Sequence, residues 1–241
     1  AVTAVLFVLL LAAYGLKALR YPERVRDEYT SPVKLHFFPT MSISLVLLSI
    51  AFLHLQFTVS LVLWVVGTTA HLVLTLQTMS IWIQKEHFEI NHVEPSWFIP
   101  VVGNILIPVA GVELAPVDVS WFFFSIGLVL WLVLFTIFLY RIIFHHPLAG
   151  RRLPTYFIVM APPAVAFISY LKLTGELDGF ARILYSFSLF LFLLLAYQWR
   201  MFNSARFYLS SWAYSFPIAA VAIATMLMAS GSDAPWLFGL S

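Results

Sequence analysis

The chain consists of long apolar runs separated by short polar connections. A helix needs about 20 apolar residues to cross the hydrocarbon core of a bilayer. Eight runs approach or exceed this length, and they cover residues 1–19, 36–55, 57–83, 97–114, 117–143, 153–174, 179–201 and 207–230. A ninth begins at Ala234 and stops at Ser241. The runs lack the alternation of barrel strands, so they predict an all-α integral membrane protein with one transmembrane domain over residues 1–241.

Proline occurs inside every second run. The internal prolines are Pro39, Pro100, Pro108, Pro162, Pro163 and Pro217, and the first, third, fifth and seventh runs contain none. The intervals from 39 to 100, from 100 to 162 and from 162 to 217 are 61, 62 and 55 residues. Proline lacks a backbone donor and clashes with the preceding turn, so a helix that contains it bends. The chain is therefore predicted to repeat one helical hairpin, a straight helix followed by a bent one.

Bulky residues precede most internal prolines and small or β-branched residues follow them, as in HFFPTMSIS, SWFIPVVGN, VMAPPAVAF and AYSFPIAAV. If the bent helices surround a common axis, the residues just before the prolines meet at one level. These residues are Phe38, Ile99, Ala161 and Phe216, which precede Pro39, Pro100, Pro162 and Pro217. Such an apolar ring is typical of a steric or dewetting gate. The alternative is that the prolines only bend packed helices whose rings face lipid or a neighbouring helix.

Polar residues within the runs are few and mostly uncharged. Asn104 stands beside Gly103 in the fourth run, where it either lines the pore or accompanies a close approach of two helices. No Asp, Glu, Lys or Arg lies in the middle of a run, which disfavours proton-coupled carriage and intramembrane catalysis. His71 lies midway along a proline-free run, and a hydrogen-bonded packing role is predicted for it. The spacing in HFEINHVE, residues 87–94, fits no zinc pattern, so no metal or cofactor is predicted.

Composition and charge define the class and the orientation. The chain is 62% hydrophobic and 10% charged, with a mean hydropathy of +0.95, which excludes a soluble globular domain. It has no cysteine, so disulfides and thiolate sites are excluded, and its net charge of +2 does not favour nucleic acid. Eleven of the 13 Lys and Arg residues lie in connections that lead from a proline-free run to a proline-bearing one. The positive-inside rule places these basic loops in the cytoplasm.

Four motifs carry a resemblance to a known family. They are FFPTMSI around Pro39, PSWFIPVVGNILIPVAG from Pro95 to Gly111, APPAVAF from Ala161 to Phe167, and WAYSFP from Trp212 to Pro217. Over essentially its whole length the chain resembles the tellurite-resistance and C4-dicarboxylate transporter family. That family includes bacterial TehA and the plant guard-cell slow anion channels, and the chain is similar to a bacterial TehA-like member.

The resemblance implies a ten-helix bundle of five repeated hairpins, with proline-kinked inner helices around a central pore. It also implies a homotrimer with one pore in each subunit. The first inner helix and most of the last outer one would be absent from this sequence, which is expected to be incomplete at both ends. The occluding phenylalanine of the family falls on Phe216.

The resemblance implies an anion channel or facilitative anion transporter in the cell membrane. Small anions such as chloride or nitrate would pass a central pore occluded by Phe216. Bends at the internal prolines free backbone N–H groups, which favour negative charge without any cationic side chain. The alternative is a coupled or uniport carrier of a dicarboxylate, sulfite or a tellurite-like oxyanion. Neither an enzymatic activity nor a nucleic-acid partner is expected.

Overall fold

A computed structural model describes residues 2–86, 88–148, 150–203 and 207–231. Its α-helices are α1 (Val2–Arg20), α2 (Pro22–Thr30), α3 (Pro39–Phe52), α4 (Phe57–Gln84), α5 (Phe98–Leu106), α6 (Pro108–Leu114), α7 (Val117–Phe144), α8 (Ala161–Thr174), α9 (Gly179–Tyr197), α10 (Trp199–Asn203) and α11 (Ser215–Gly231). Within the described residues, eight helical segments are long and apolar enough to cross a membrane. The prediction of an all-α membrane bundle is confirmed, and the ninth apolar run lies outside the described residues.

Each proline-bearing segment begins with a 3-10 helical lead-in and continues as an α-helix. The lead-ins are Lys34–Phe37 before α3, Pro95–Trp97 before α5, Gly150–Met160 before α8 and Leu209–Tyr214 before α11. The prolines lie in the first turns of these helices, with Pro39 first in α3, Pro100 third in α5, Pro162 second in α8 and Pro217 third in α11. N–H groups in the first turn of an α-helix have no partner within that helix. A proline in this turn therefore removes no hydrogen bond of the α-helix.

The proline-bearing and proline-free helices form two layers. In the inner layer α3 packs against α5, α5 against α8, and α8 against α11. Behind them, α4 contacts both α3 and α5, α7 contacts both α5 and α8, and α9 contacts both α8 and α11. Each of these three straight helices therefore covers the seam between two proline-bearing helices.

Glycines let the two layers approach at backbone distance. A Cβ atom at Gly67 of α4 would lie 3.1 Å from the amide nitrogen of Val46 in α3. One at Gly127 of α7 would lie 2.8 Å from the amide nitrogen of Ile105 in α5. Small residues permit such close approach in membranes, where dispersion contacts replace the hydrophobic effect as the attraction between helices.

Side chains of α4 bind the backbone carbonyls of its two neighbours. The Thr75 hydroxyl donates to the Pro100 carbonyl oxygen at 2.6 Å, and the Trp64 indole donates to the Ile107 carbonyl oxygen at 3.0 Å. Ser60 donates to the carbonyl of Ser49 in α3 at 2.8 Å. An unbonded carbonyl costs free energy in an apolar environment, so α4 stabilises the broken inner helices.

Replacing Thr75 by valine is expected to lower the free energy of unfolding by about 0.5–1.5 kcal/mol, because the bond from the Thr75 hydroxyl to the buried Pro100 carbonyl is lost while the Asn104 amide still donates to that oxygen. Thermal unfolding of the purified protein measures the change. Thr136→Val is the matched control, since the Thr136 hydroxyl is exposed and donates within its own helix. Equal stability of the two variants would show that the bond to Pro100 contributes nothing.

Glu28 joins α2 to α1. Its carboxylate accepts hydrogen bonds from Lys17 Nζ at 2.7 Å and from the Tyr14 hydroxyl at 3.2 Å. The hydrogen bond from Lys17 holds the pKa of the Glu28 carboxyl below its ordinary value, against the opposing effect of desolvation. A depressed pKa means that the contribution to stability is present above the ordinary carboxyl pKa. It is lost as pH falls through the depressed value.

After correction for the intrinsic exchange rate at each pH, acidification is therefore expected to speed amide hydrogen exchange in α2 more in the wild-type protein than in Glu28→Gln. The Glu28→Gln variant should exchange faster than wild type already at neutral pH, and should differ little from it once the carboxyl is protonated. Asp27→Asn serves as the control on the same helix. An acid response of the same size in Glu28→Gln and in wild type would contradict the role of Glu28.

Candidate functional site

The four proline-bearing segments enclose a cavity of about 380 Å³. Each contributes five or six lining residues, so the cavity lies between the inner-layer helices. The first turns of all four helices take part, through Thr40 of α3, Ile99 of α5, Ala161 and Pro162 of α8, and Phe216 and Pro217 of α11. A helix N-terminus carries a partial positive charge and presents N–H groups. Four such ends border one space.

The cavity wall is neutral and mostly apolar. Among the described residues, those that line it include no ionisable side chain. Its hydroxyl-bearing side chains are those of Thr40, Ser44, Thr155 and Ser210. Each hydroxyl donates to a backbone carbonyl within the protein. The wall can therefore surround a small solute but offers no fixed charge to hold it.

Basic residues lie close to one end of the cavity. The lining hydroxyl of Thr155 donates to the carbonyl of Arg152, and that of Ser210 donates to the carbonyl of Arg151, both at 2.6 Å. The Arg152 guanidinium forms an ion pair with Glu94, which is 3% exposed. The pair joins the chain just before α5 to the lead-in of α8. A positive potential at this end would raise the local concentration of anions.

Three residues predicted to ring the pore line this cavity: Ile99, Ala161 and Phe216. The Phe216 side chain belongs to the first turn of α11 and is 40% exposed. Its neighbour Pro217 is buried and also lines the cavity. Phe216 has the largest side chain of the three.

Phe38 lies elsewhere. It borders a second cavity of about 450 Å³ between α1 and α3, and it contacts Tyr14 and Tyr29 edge-on, with ring centroids 6.1 and 5.1 Å apart. Phe37 lines the central cavity in its place. Contacts with the first two helices explain this difference, because the Phe38 ring packs between Tyr14 of α1 and Tyr29 of α2.

Asn104 lies between helices and not among the residues that line the cavity. Its side chain is 0% exposed, and its amide donates to the Val101 carbonyl at 2.9 Å and to the Thr75 hydroxyl at 3.2 Å. The adjacent Gly103 does line the cavity, and a Cβ atom there would overlap the imidazole of His71. Close helix approach therefore accounts for the glycine beside Asn104.

His71 is fully buried behind the cavity wall. Its Nδ1 atom lies 2.9 Å from Ser42 Oγ of α3, and its ring packs on Gly103 of α5. Sequence reasoning gave it a packing role but no partner, because Ser42 is 29 residues away. Two features of the sequence could have indicated this contact: a histidine on an otherwise apolar helix, and a glycine in the next proline-bearing run.

The histidine-rich segment before α5 is held by one local hydrogen bond and one distant ion pair. The Glu89 backbone N–H donates to His92 Nδ1 at 3.2 Å, and Glu94 is paired with Arg152. His87 lies outside the described residues. Within the part of the chain that the structure describes, no three His, Cys, Asp or Glu side chains are grouped as metal ligands would be.

Comparison with known proteins gives consistent matches. The profile of a family described as voltage-dependent anion channel matches residues 1–241. The S-type anion channel SLAH3 of Arabidopsis thaliana is 29% identical over 236 residues, which are 95% of this chain and 36% of the plant protein. The tellurite resistance protein TehA homolog of Haemophilus influenzae is 29% identical over 226 residues, 92% of this chain and 68% of that protein.

An archaeal protein is similar as well. The uncharacterized transporter MJ0762 of Methanocaldococcus jannaschii is 27% identical over 248 residues, which are 92% of this chain and 72% of that protein. The chain thus spans less than half the length of the plant relative and about two thirds to three quarters of the two prokaryotic ones.

Proposed function

The chain belongs to the voltage-dependent anion channel family, and from that premise we propose that it is an anion channel or facilitative anion transporter. Small anions such as chloride or nitrate pass through the cavity between the four proline-bearing segments. Phe216 occludes this path and acts as its gate. The proposal includes no enzymatic activity, cofactor or nucleic-acid partner.

One observation carries the proposal: the first turns of α3, α5, α8 and α11 border the same cavity. The positive ends of four helix dipoles favour an anion over a cation in this space. Because the dipoles are part of the backbone, selectivity requires no charged side chain on the wall. A wall without fixed charge also binds an anion weakly enough to release it, which conduction requires.

The environment of the cavity supports a path with a preferred orientation. Arg151 and Arg152, next to Ser210 and Thr155, mark one end of the cavity. By the positive-inside rule, this end faces the cytoplasmic side of the cell membrane. Anions approaching from that side would be concentrated by the basic rim, an effect that falls as ionic strength rises. A homotrimer with one pore in each subunit rests on the family resemblance.

Purified protein in liposomes tests this function. We expect chloride and nitrate to leave loaded vesicles at a rate that does not depend on an imposed proton gradient. Empty liposomes are the control. If chloride and nitrate stay inside while a dicarboxylate, sulfite or tellurite accumulates along the proton gradient, the protein is a coupled carrier and the channel proposal fails.

A further inference from the structure

An ion pair joins two neighbouring inner-layer segments at one end of the cavity. The Glu94 carboxylate contacts the Arg152 guanidinium. Glu94 lies just before the lead-in of α5 and four residues before Phe98, and Arg152 lies in the lead-in of α8, three residues before Thr155. Phe98 and Thr155 both line the cavity. Both charged residues therefore lie about one helical turn from the cavity wall.

The two partners of this ion pair differ in burial. Glu94 is 3% exposed, whereas the Arg152 side chain is 45% exposed. The Glu94 backbone is extended, as is usual before proline, and its carbonyl oxygen accepts a hydrogen bond from the Trp97 N–H at 2.9 Å. Among the described residues, Arg152 is the one charged partner of the Glu94 carboxylate. A buried carboxylate on a fixed backbone is thus neutralised by a guanidinium that reaches solvent.

Glu94 cancels one of two positive charges at this end of the cavity. The other charge belongs to Arg151, whose guanidinium lies over the Tyr208 ring, 5.7 Å from the ring centroid. An aromatic ring attracts a cation without neutralising it. Within the described residues, no carboxylate forms an ion pair with Arg151. Of the two arginines, it is therefore Arg152 whose charge is cancelled by the protein.

A guanidinium that holds a carboxylate can also hold another small anion. Its N–H groups bind oxyanions through charge-assisted hydrogen bonds, and its planar shape matches a planar group of oxygen atoms. Nitrate is planar and presents its oxygen atoms much as a carboxylate does. The Glu94 carboxylate therefore occupies the position on Arg152 that a small anion would take.

We propose that the Arg152 guanidinium is an anion-binding site at the entrance of the cavity and that Glu94 is its built-in competitor. An incoming anion must displace the Glu94 carboxylate, which would be left buried without a counter-charge. The site is therefore weak in the intact protein. Removing the Glu94 charge opens the site and raises the positive potential at the entrance. The effect on anion passage rests on the proposed function, whereas binding at Arg152 does not.

Nitrate binding to the purified protein tests the site without any transport. Nitrate replaces gluconate, a bulkier anion, at constant ionic strength, and the melting temperature is recorded. We expect nitrate to raise the melting temperature of Glu94→Gln by a few degrees, because its Arg152 is free to bind an anion. Wild type and the double variant of Glu94→Gln with Arg152→Gln should not respond. If Glu94→Gln does not fold, Glu94→Ala removes the same charge.

Glu113→Gln is the matched control. Glu113 of α6 lies 3.5 Å from Lys172 of α8 in an ion pair, and the Lys172 side chain is 46% exposed, much as that of Arg152 is. This variant loses the same charge from a pair whose two partners are both solvated. Its melting temperature should respond to nitrate as that of wild type does. Equal responses of Glu113→Gln and Glu94→Gln would show an effect of net charge alone and overturn the proposal.

Chloride current in planar bilayers tests the effect on passage. At about 0.01 M salt, where charges act over about 30 Å, Glu94→Gln should carry severalfold more current than wild type. At about 1 M salt, where this distance falls to about 3 Å, the difference should disappear. The double variant should carry the current of wild type at both salt concentrations, because the gain requires the Arg152 charge. Loosening of the lead-ins would instead raise the current in both variants at both salt concentrations.

The same nitrate response in wild type, Glu94→Gln and the double variant, or no response in any of them, would overturn the anion site. When the proteins conduct, a wild-type current in Glu94→Gln at low salt, or a gain that persists in the double variant, would overturn the effect on passage. Absence of current from every protein would instead refute the proposed function. The melting temperatures would still decide whether Arg152 binds an anion in that case.

Discussion

Replacing Phe216 by alanine is expected to raise anion conductance severalfold while selectivity for anions over cations persists. Phe216 is the bulky side chain that α11 contributes to the cavity through its first turn. On the proposed function, its removal widens the apolar cavity and eases wetting of the anion path. The dipoles that favour anions belong to the backbone and are unchanged. The current in planar bilayers measures the conductance, and the reversal potential under a salt gradient measures the selectivity for anions over cations.

Phe190→Ala is the matched control, because this phenylalanine is 56% exposed on α9 and does not line the cavity. The control should conduct as wild type does. Equal conductance of Phe216→Ala and wild type, when both proteins conduct, would remove Phe216 from the role of gate. A loss of anion selectivity in Phe216→Ala would instead show that the ring, and not the backbone, selects the ion.

Replacing Gly127 by leucine is expected to destabilise the fold more than any other single substitution considered for this chain. A Cβ atom at this position would already lie 2.8 Å from the amide nitrogen of Ile105, and backbone cannot move aside as a side chain can. Overpacking of a core costs about 1–3 kcal/mol, and more where helices must separate. The melting temperature in detergent should fall sharply, with aggregation on heating.

Gly15→Leu provides the comparison, since no atom lies within 4 Å of a Cβ at Gly15 in α1. This variant should melt close to wild type. If Gly127→Leu also melted close to wild type, α7 and α5 would not be in backbone contact, and the two-layer arrangement of the helices would be wrong at this point.

Hydropathy alone predicted where the chain crosses the membrane. The runs 57–83 and 117–143 correspond to α4 (Phe57–Gln84) and α7 (Val117–Phe144). Their ends are set by the thickness of the hydrocarbon layer, which acts on each segment independently of its neighbours. The alternation of proline-bearing and proline-free helices was predictable for a similar reason, since proline acts on its own helix.

The orientation of individual side chains was less predictable. Phe37 and not Phe38 lines the central cavity, because the Phe38 ring packs on Tyr14 of α1 and Tyr29 of α2. Asn104 binds Thr75 because α4 covers the seam behind it. The pair of Glu94 and Arg152 joins two repeats that are distant in sequence. Each of these contacts depends on which helices are neighbours in the fold, and a single sequence does not show which helices are neighbours.

Chemical modification of a single cysteine introduced into the cavity wall tests most directly whether the cavity is the anion path. The chain has no cysteine, so a single introduced cysteine is its only thiol. Ala161 lines the cavity, and Ala164, three residues further along α8, is buried and does not. Each is changed to cysteine in the Phe216→Ala background, so that the ring does not limit access of an anionic methanethiosulfonate. Mass spectrometry measures the extent of labelling.

We expect the reagent to abolish current through Ala161→Cys and to leave current through Ala164→Cys unchanged. A permeant anion at high concentration should slow the block. Full labelling of Ala161→Cys with undiminished current would show that anions take another route through the protein.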